Sequence, residues 1–111
     1  MAIQEKQLGQ ARENSTSAVS VYSPASSTTA IIKSVVIGNT SGAAATFRLF
    51  VDDDGSTYDE STALYWDVNI PADSSMQIDT YWPMNDSNGN LAYRSSVANA
   101  LTITVFGLEI T

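Results

Sequence analysis

Apolar and polar positions alternate in two runs over residues 45–70, with a polar loop between them. In the first run Ala45, Phe47, Leu49 and Val51 fall on one face, and Thr46, Arg48, Phe50 and Asp52 on the other. This is the period of two of a half-buried strand. In the second run Leu64, Trp66, Val68 and Ile70 alternate with Tyr65, Asp67 and Asn69. Each run predicts a strand with one dry face, and pairing the two places Phe47, Leu49, Trp66 and Val68 in a core. The joining segment, residues 52–62, crowds Asp52, Asp53, Asp54, Asp59 and Glu60 around Gly55 and contains no cation.

The same reading extends along the chain. Residues 17–22 (SAVSVY) predict a short edge strand, ended by Pro24 and a Ser/Thr run. Residues 29–39 carry Ile31, Ile32, Val35, Val36 and Ile37 on both faces, which predicts a central strand covered on both sides or an interface on one. The NTSG turn residues that follow predict a direct hairpin into the strand beginning at Ala45. Beyond Ile70, the PADS turn and the alternation of Met76, Ile78, Thr80 and Trp82 imply another hairpin. Residues 83–90 (PMNDSNGN) read as a surface loop, and 91–95 as a short strand. In the last segment Leu101, Ile103 and Val105 keep one parity, and Leu108 and Ile110 take the other, which predicts a bulge near Gly107 that returns both sets to the same side. Residues 1–16 are polar, with Ile3 and Leu8 the bulky apolar side chains. They are expected to form an arm that orders by lying on a neighbouring subunit, Ile3 and Leu8 making the contact. The prediction is an all-β fold: an antiparallel β-sandwich of about seven strands over residues 17–111, of jelly-roll or immunoglobulin-like type, with an extended N-terminal arm.

Composition narrows the chemistry. Among 111 residues only 15% are charged, against about a quarter in typical domains, so part of the surface is expected to be covered by something else. Net charge is -7, and the five cations Lys6, Arg12, Lys33, Arg48 and Arg94 are scattered. That pattern excludes the basic stripe a nucleic-acid partner needs; a basic patch on a protein partner and a merely solvated acidic surface both suit it. The chain has neither cysteine nor histidine, which removes thiolate and histidine-based nucleophilic catalysis and histidine-ligated zinc. Lys6 and Lys33 lack the local serine arrangement of a Ser–Lys pair, and the carboxylates of one loop have no second lobe with which to form a glycosidase cleft. No enzymatic activity is therefore expected. No segment reads as a membrane helix or signal peptide, so the expectation is a soluble protein made in the cytosol.

Two candidate sites remain. Asp52, Asp53, Asp54, Asp59 and Glu60 could supply oxygen ligands to calcium. The spacing is not that of an EF-hand: with Gly55 at the glycine position, the first ligand would be Phe50 and the last Ser61. The competing reading, which the spacing favours, is a hydrated turn whose Asp side chains bond nearby amides while Gly55 takes a positive φ. The second candidate is aromatic. Tyr58, Tyr65, Tyr81, Trp82 and Tyr93 could form a platform for a sugar or a protein. Tyr65 and Tyr81 would share an exposed patch if their strands pair; cross-strand packing is the alternative.

The segments YSPASSTTAIIKSVVIGNTSGAAATFRLFVDDDGSTYDESTALYWDVNIPADSSM and NGNLAYRSSVANALTITVFGLEI resemble small virion proteins of tailed bacteriophages, over residues 19–111. The resemblance implies a β-sandwich that assembles on a particle. The first expectation is a head decoration (cement) protein bound at junctions of the major capsid protein; the alternative is a neck or tail component, or a module that recognises host glycan with calcium. It further implies a homo-oligomer, most often a trimer, made in the host cytoplasm and located in the virion. It assigns no role to the acidic loop.

Overall fold

The structure, a computed structural model, describes residues 2–84 and 88–111. Asn85, Asp86 and Ser87 of the predicted loop over 83–90 lie outside the described residues. Eight strands follow in order: β1 (Ile3–Arg12), β2 (Val19–Tyr22), β3 (Thr29–Asn39), β4 (Ala45–Asp52), β5 (Ala63–Ile70), β6 (Ser75–Met84), β7 (Asn90–Ser95) and β8 (Leu101–Ile110). They form two antiparallel sheets of four strands each, β1-β8-β3-β6 and β2-β7-β4-β5. Buried side chains of both sheets make one core: Ile32, Val35 and Ile37 of β3 and Ile103 and Val105 of β8 from one sheet, Phe47, Leu49, Leu91 and Tyr93 from the other. The alternation that predicted β4 thus holds, with Ala45, Phe47 and Leu49 buried.

The connections depart from the expected hairpins. β4 and β5 pair as predicted, but β3 and β4 lie in different sheets, as do β5 and β6. The NTSG segment is therefore a crossing between sheets. Asn39, only 3% exposed, organises that crossing. Its Nδ2 donates to the carbonyls of Ala43, Ile70 and Pro71, and its Oδ1 accepts from the backbone and side chain of Ser41. One side chain thereby ties the β3–β4 crossing to the β5–β6 crossing, and the Thr40 amide donates to Ala100 O at the β7–β8 crossing. Turn-forming residues satisfy either geometry locally, and the choice is made by where the neighbouring strands run.

The segment expected as an arm is instead an edge strand of this same domain. β1 pairs with β8 from Ile3 opposite Ile110 to Arg12 opposite Thr102. Backbone pairing supplies what its side chains lack, since only Leu8, Gly9 and Ala11 of the strand are partly buried. Gly107 does mark an irregularity, but the register shifts fall on the neighbours, between Gln7 and Gly9 of β1 and between Ile32 and Ser34 of β3. β8 itself carries no bulge: buried parity continues through Leu101, Ile103, Val105 and Gly107, so Leu108 and Ile110 do not return to the side of Leu101, Ile103 and Val105 but stay with Phe106 on the outer face. A Cβ on Gly107 would lie 2.1 Å from Ile31 O and 2.9 Å from Leu8 Cδ1. The glycine is therefore required by close backbone approach.

Candidate functional site

The two sheets present different outer faces. On β2-β7-β4-β5, Phe50 points outward yet is only 2% exposed, because Tyr58 of the acidic loop and Trp66 pack on it, with ring centroids 6.1 and 6.3 Å away. The predicted phase of β5 breaks at Asp67, which has a φ of 53°. The pairing passes from Phe47 opposite Val68 to Leu49 opposite Tyr65, with two residues of β5 facing one of β4. This bulge turns Tyr65 inward and Leu64 and Trp66 outward. Trp66, expected in the core, is 41% exposed, and the Arg48 guanidinium stacks on its ring at 3.6 Å. Arg48 also makes a two-pronged pair with Asp67, Nε at 2.6 Å and Nη2 at 3.1 Å, and Arg94 approaches the same carboxylate at 3.6 Å. The hydrogen-bonded Arg48 holds the Asp67 carboxyl below its ordinary value.

The acidic loop is built from its own turns. Asp52 accepts from the amides of Asp54 and Thr57, and Asp59 from the hydroxyl and amide of Ser61, which lower its pKa. Gly55 takes a φ of 147°; its amide donates to Asn88 O and its carbonyl accepts from Asn90 Nδ2. Among the described residues no three acidic side chains converge as metal ligands. The arrangement matches the turn reading of Asp52, Asp53, Asp54, Asp59 and Glu60 at the two carboxylates whose bonds are resolved, Asp52 and Asp59.

The aromatic platform is not assembled. Tyr93 is fully buried; its hydroxyl accepts from the Glu13 amide and donates to Leu101 O. Tyr65 packs inward between Phe47 and Trp82. Tyr81, on the other sheet, is 63% exposed under Lys33, whose Nζ lies 5.5 Å from the ring centroid. Tyr65 and Tyr81 thus share no patch, because β5 and β6 do not pair.

The outer face of β1-β8-β3-β6 is the open one. Its cross-strand rows are Ile3–Ile110–Thr29, then Glu5–Leu108–Ile31–Pro83, then Gln7–Phe106–Ser34–Asp79, with Lys33 and Tyr81 beside the last. Farther along, the rows turn polar: Gln10–Thr104–Val36–Gln77 and Arg12–Thr102–Gly38–Ser75. One end of this face is therefore apolar, and Ile3, at 61% exposed, belongs to it. Leu8 does not: it lies inward over Gly107. The opposite parity of Leu108 and Ile110 is visible in the sequence, but the expected bulge would have turned them to the core side, and grouping them with Ile31, Tyr81 and Pro83 required the sheet order.

No protein-family model matches the chain, and no curated protein matches it.

Proposed function

We propose that the chain is a non-enzymatic structural protein of a tailed-phage virion, made in the host cytoplasm and decorating the head at junctions between subunits of the major capsid protein. The observation that carries this reading is the strand order. β1 pairs with β8, β2 with β7, β3 with β6 and β4 with β5, the four pairs divided between the two sheets. Rolling up one long hairpin of eight strands would produce this order, which supports reading the fold as a jelly-roll sandwich, an architecture recurrent in viral shell proteins. Fold alone does not assign function. The resemblance of residues 19–111 to phage virion proteins points the same way, as does a composition without histidine or cysteine and with only 15% charged residues.

The test is where the chain sits on a particle. Antibody raised against the purified chain, applied to particles from a culture that produces it, should label the head in a regular lattice. Particles lacking the chain should open at lower temperature. Label confined to the tail would favour the neck or tail reading, and particles devoid of the chain would overturn both.

A further inference from the structure

We propose that Asn88 is a self-modification site, where the side-chain amide is displaced by the backbone of the next residue and the turn that anchors the acidic loop gains a carboxylate. Seven asparagines occur in the chain, and only Asn88 precedes a glycine. Asparagine is among the chemically labile side chains. Its weak point is the amide carbon Cγ, which the nitrogen of the following residue attacks to close a five-membered ring. A side chain at that following position crowds the approach, and Gly89 has no Cβ with which to do so. Asn88 is exposed in the turn that precedes β7, so water reaches its side chain. Gly89 N gives up its proton to solvent and attacks Asn88 Cγ; the Cγ–N bond forms, and the Cγ–Nδ2 bond breaks with loss of ammonia. Water then opens the cyclic imide. Addition at Cγ gives aspartate. Addition at the main-chain carbonyl carbon breaks its bond to Gly89 N and gives isoaspartate, with the backbone now running through the side-chain carbons. Either product adds one negative charge to the net -7.

The fold contributes at the first step. Negative charge that develops on Gly89 N is shared through the peptide group with Asn88 O, and the Gly55 amide donates to that oxygen at 2.9 Å. A donor already aimed at the atom where charge develops lowers the cost of forming it. Gly55 is itself held in place, because its carbonyl accepts from Asn90 Nδ2 at 2.6 Å. Asn90 is fixed in turn by Ser20, whose Oγ donates to Asn90 Oδ1 at 2.8 Å. Asn90 is thus a positioning residue for this reaction. The same contacts set its consequence. Isoaspartate lengthens the backbone between Asn88 Cα and Gly89 N by one carbon, and Asn88 O passes from a planar peptide group to a rotating carboxylate. Gly89 O, bonded to Ser23 Oγ at 2.6 Å, holds the far side of the turn where it was. Gly55 then loses its fixed backbone acceptor, and the acidic loop on either side of it is loosened. The site is a property of the isolated chain, and it stands or falls separately from the virion reading.

Incubation of the full chain in warm, mildly alkaline buffer, sampled over days by isoelectric focusing and by peptide mapping with mass spectrometry, tests it. The expected result is a band one charge more acidic than the parent, with the amide-to-acid mass change at Asn88 ahead of every other asparagine. In the converted fraction the Gly55 amide should exchange hydrogen faster than in fresh protein, reporting the loosened loop. Asn88→Gln, whose cyclisation would need a larger ring, should lose the acidic band. Asn90→Ala, which frees Gly55 O, should slow conversion at Asn88 while circular dichroism stays unchanged. Should Asn90→Ala fail to fold, the parent chain unfolded in urea takes its place: there the Gly55 donor is absent, and the folded chain should convert the faster of the two. Conversion led by another asparagine, a rate that Asn90→Ala leaves unchanged or raises, or a folded chain slower than the unfolded one would overturn the proposal.

Discussion

At the scale of single residues, two glycines in neighbouring strands of one sheet should behave oppositely. Gly107 has Ile31 O and Leu8 Cδ1 where a methyl would go, and the nearer atom is backbone that cannot swing away. A methyl on Gly38 would meet nothing within 4 Å. Gly107→Ala should therefore cost about 2–4 kcal/mol through forced separation of β8 from β3. Gly38→Ala should be neutral or stabilising by up to about 1 kcal/mol, by restricting the unfolded chain. Urea unfolding midpoints of the two variants check this, and equal effects would contradict the packing described for Gly107. Asp67 shows the same local control of a larger pattern. Its φ of 53° reverses the phase of β5, so that Trp66, inward by strict alternation, becomes a surface ring stacked on Arg48. Alternation counts residues and cannot register an inserted one, which is why it misplaces Trp66 but not Val68 and Ile70, beyond the bulge.

At the scale of elements, β1 explains why part of the fold was legible and part was not. Strands β4, β6 and β8 announce themselves by apolar alternation, and β3 by a run of β-branched apolar residues, because their side chains carry the burial. β1 has no such stripe, and what holds it is the ladder to β8 together with a pinning triad. Lys6 Nζ lies 2.7 Å from Glu109 Oε1, and the Tyr22 hydroxyl donates to Glu109 Oε2 at 2.6 Å, joining β1 and β8 of one sheet to β2 of the other. The Lys6 and Tyr22 bonds hold the Glu109 carboxyl below its ordinary value of 4.5; burial and this same contact push Tyr22 up. Because the folded-state pKa of Glu109 is lowered, its contribution is present above about pH 4.5 and is lost as the pH falls through the lowered value. Glu109→Gln should thus reduce Tm at pH 7, and the gap to the parent should close progressively below pH 4.5. A gap constant from pH 7 to 3 would show that the triad does not anchor β1 through charge. The expected hairpins that the fold replaces with crossings have a related cause: the five residues between β3 and β4 suit a hairpin or a crossing equally well, and the outcome rests on pairings such as β3 with β8, some seventy residues away in sequence.

At the scale of the whole molecule, charge is distributed as unevenly as apolar surface. Twelve carboxylates face five cations, and three of those cations are engaged by two carboxylates: Lys6 by Glu109, and Arg48 and Arg94 by Asp67. Local pairing therefore cannot balance the molecule, and the excess falls partly on the loop that carries Asp52, Asp53, Asp54, Asp59 and Glu60. The molecule measures 45 × 26 × 21 Å. At 0.01 M ionic strength the screening length is about 30 Å, longer than its two shorter dimensions, and near 0.15 M it is about 8 Å. Self-repulsion of the folded chain is thus felt across the molecule in dilute buffer and becomes short-ranged at moderate salt, while the unfolded chain spreads the same charges farther apart at both. Tm should rise by several degrees between these two conditions at pH 7. At pH 4, close to the sequence pI of about 4.1, the same salt step should have little effect. The comparison is to be made at a concentration where sedimentation shows a single species, so that salt-driven association does not contribute. A Tm that falls with salt at pH 7 would mean that the Lys6–Glu109 and Arg48–Asp67 attractions outweigh the net repulsion, and the acidic surface would then be no burden on the fold.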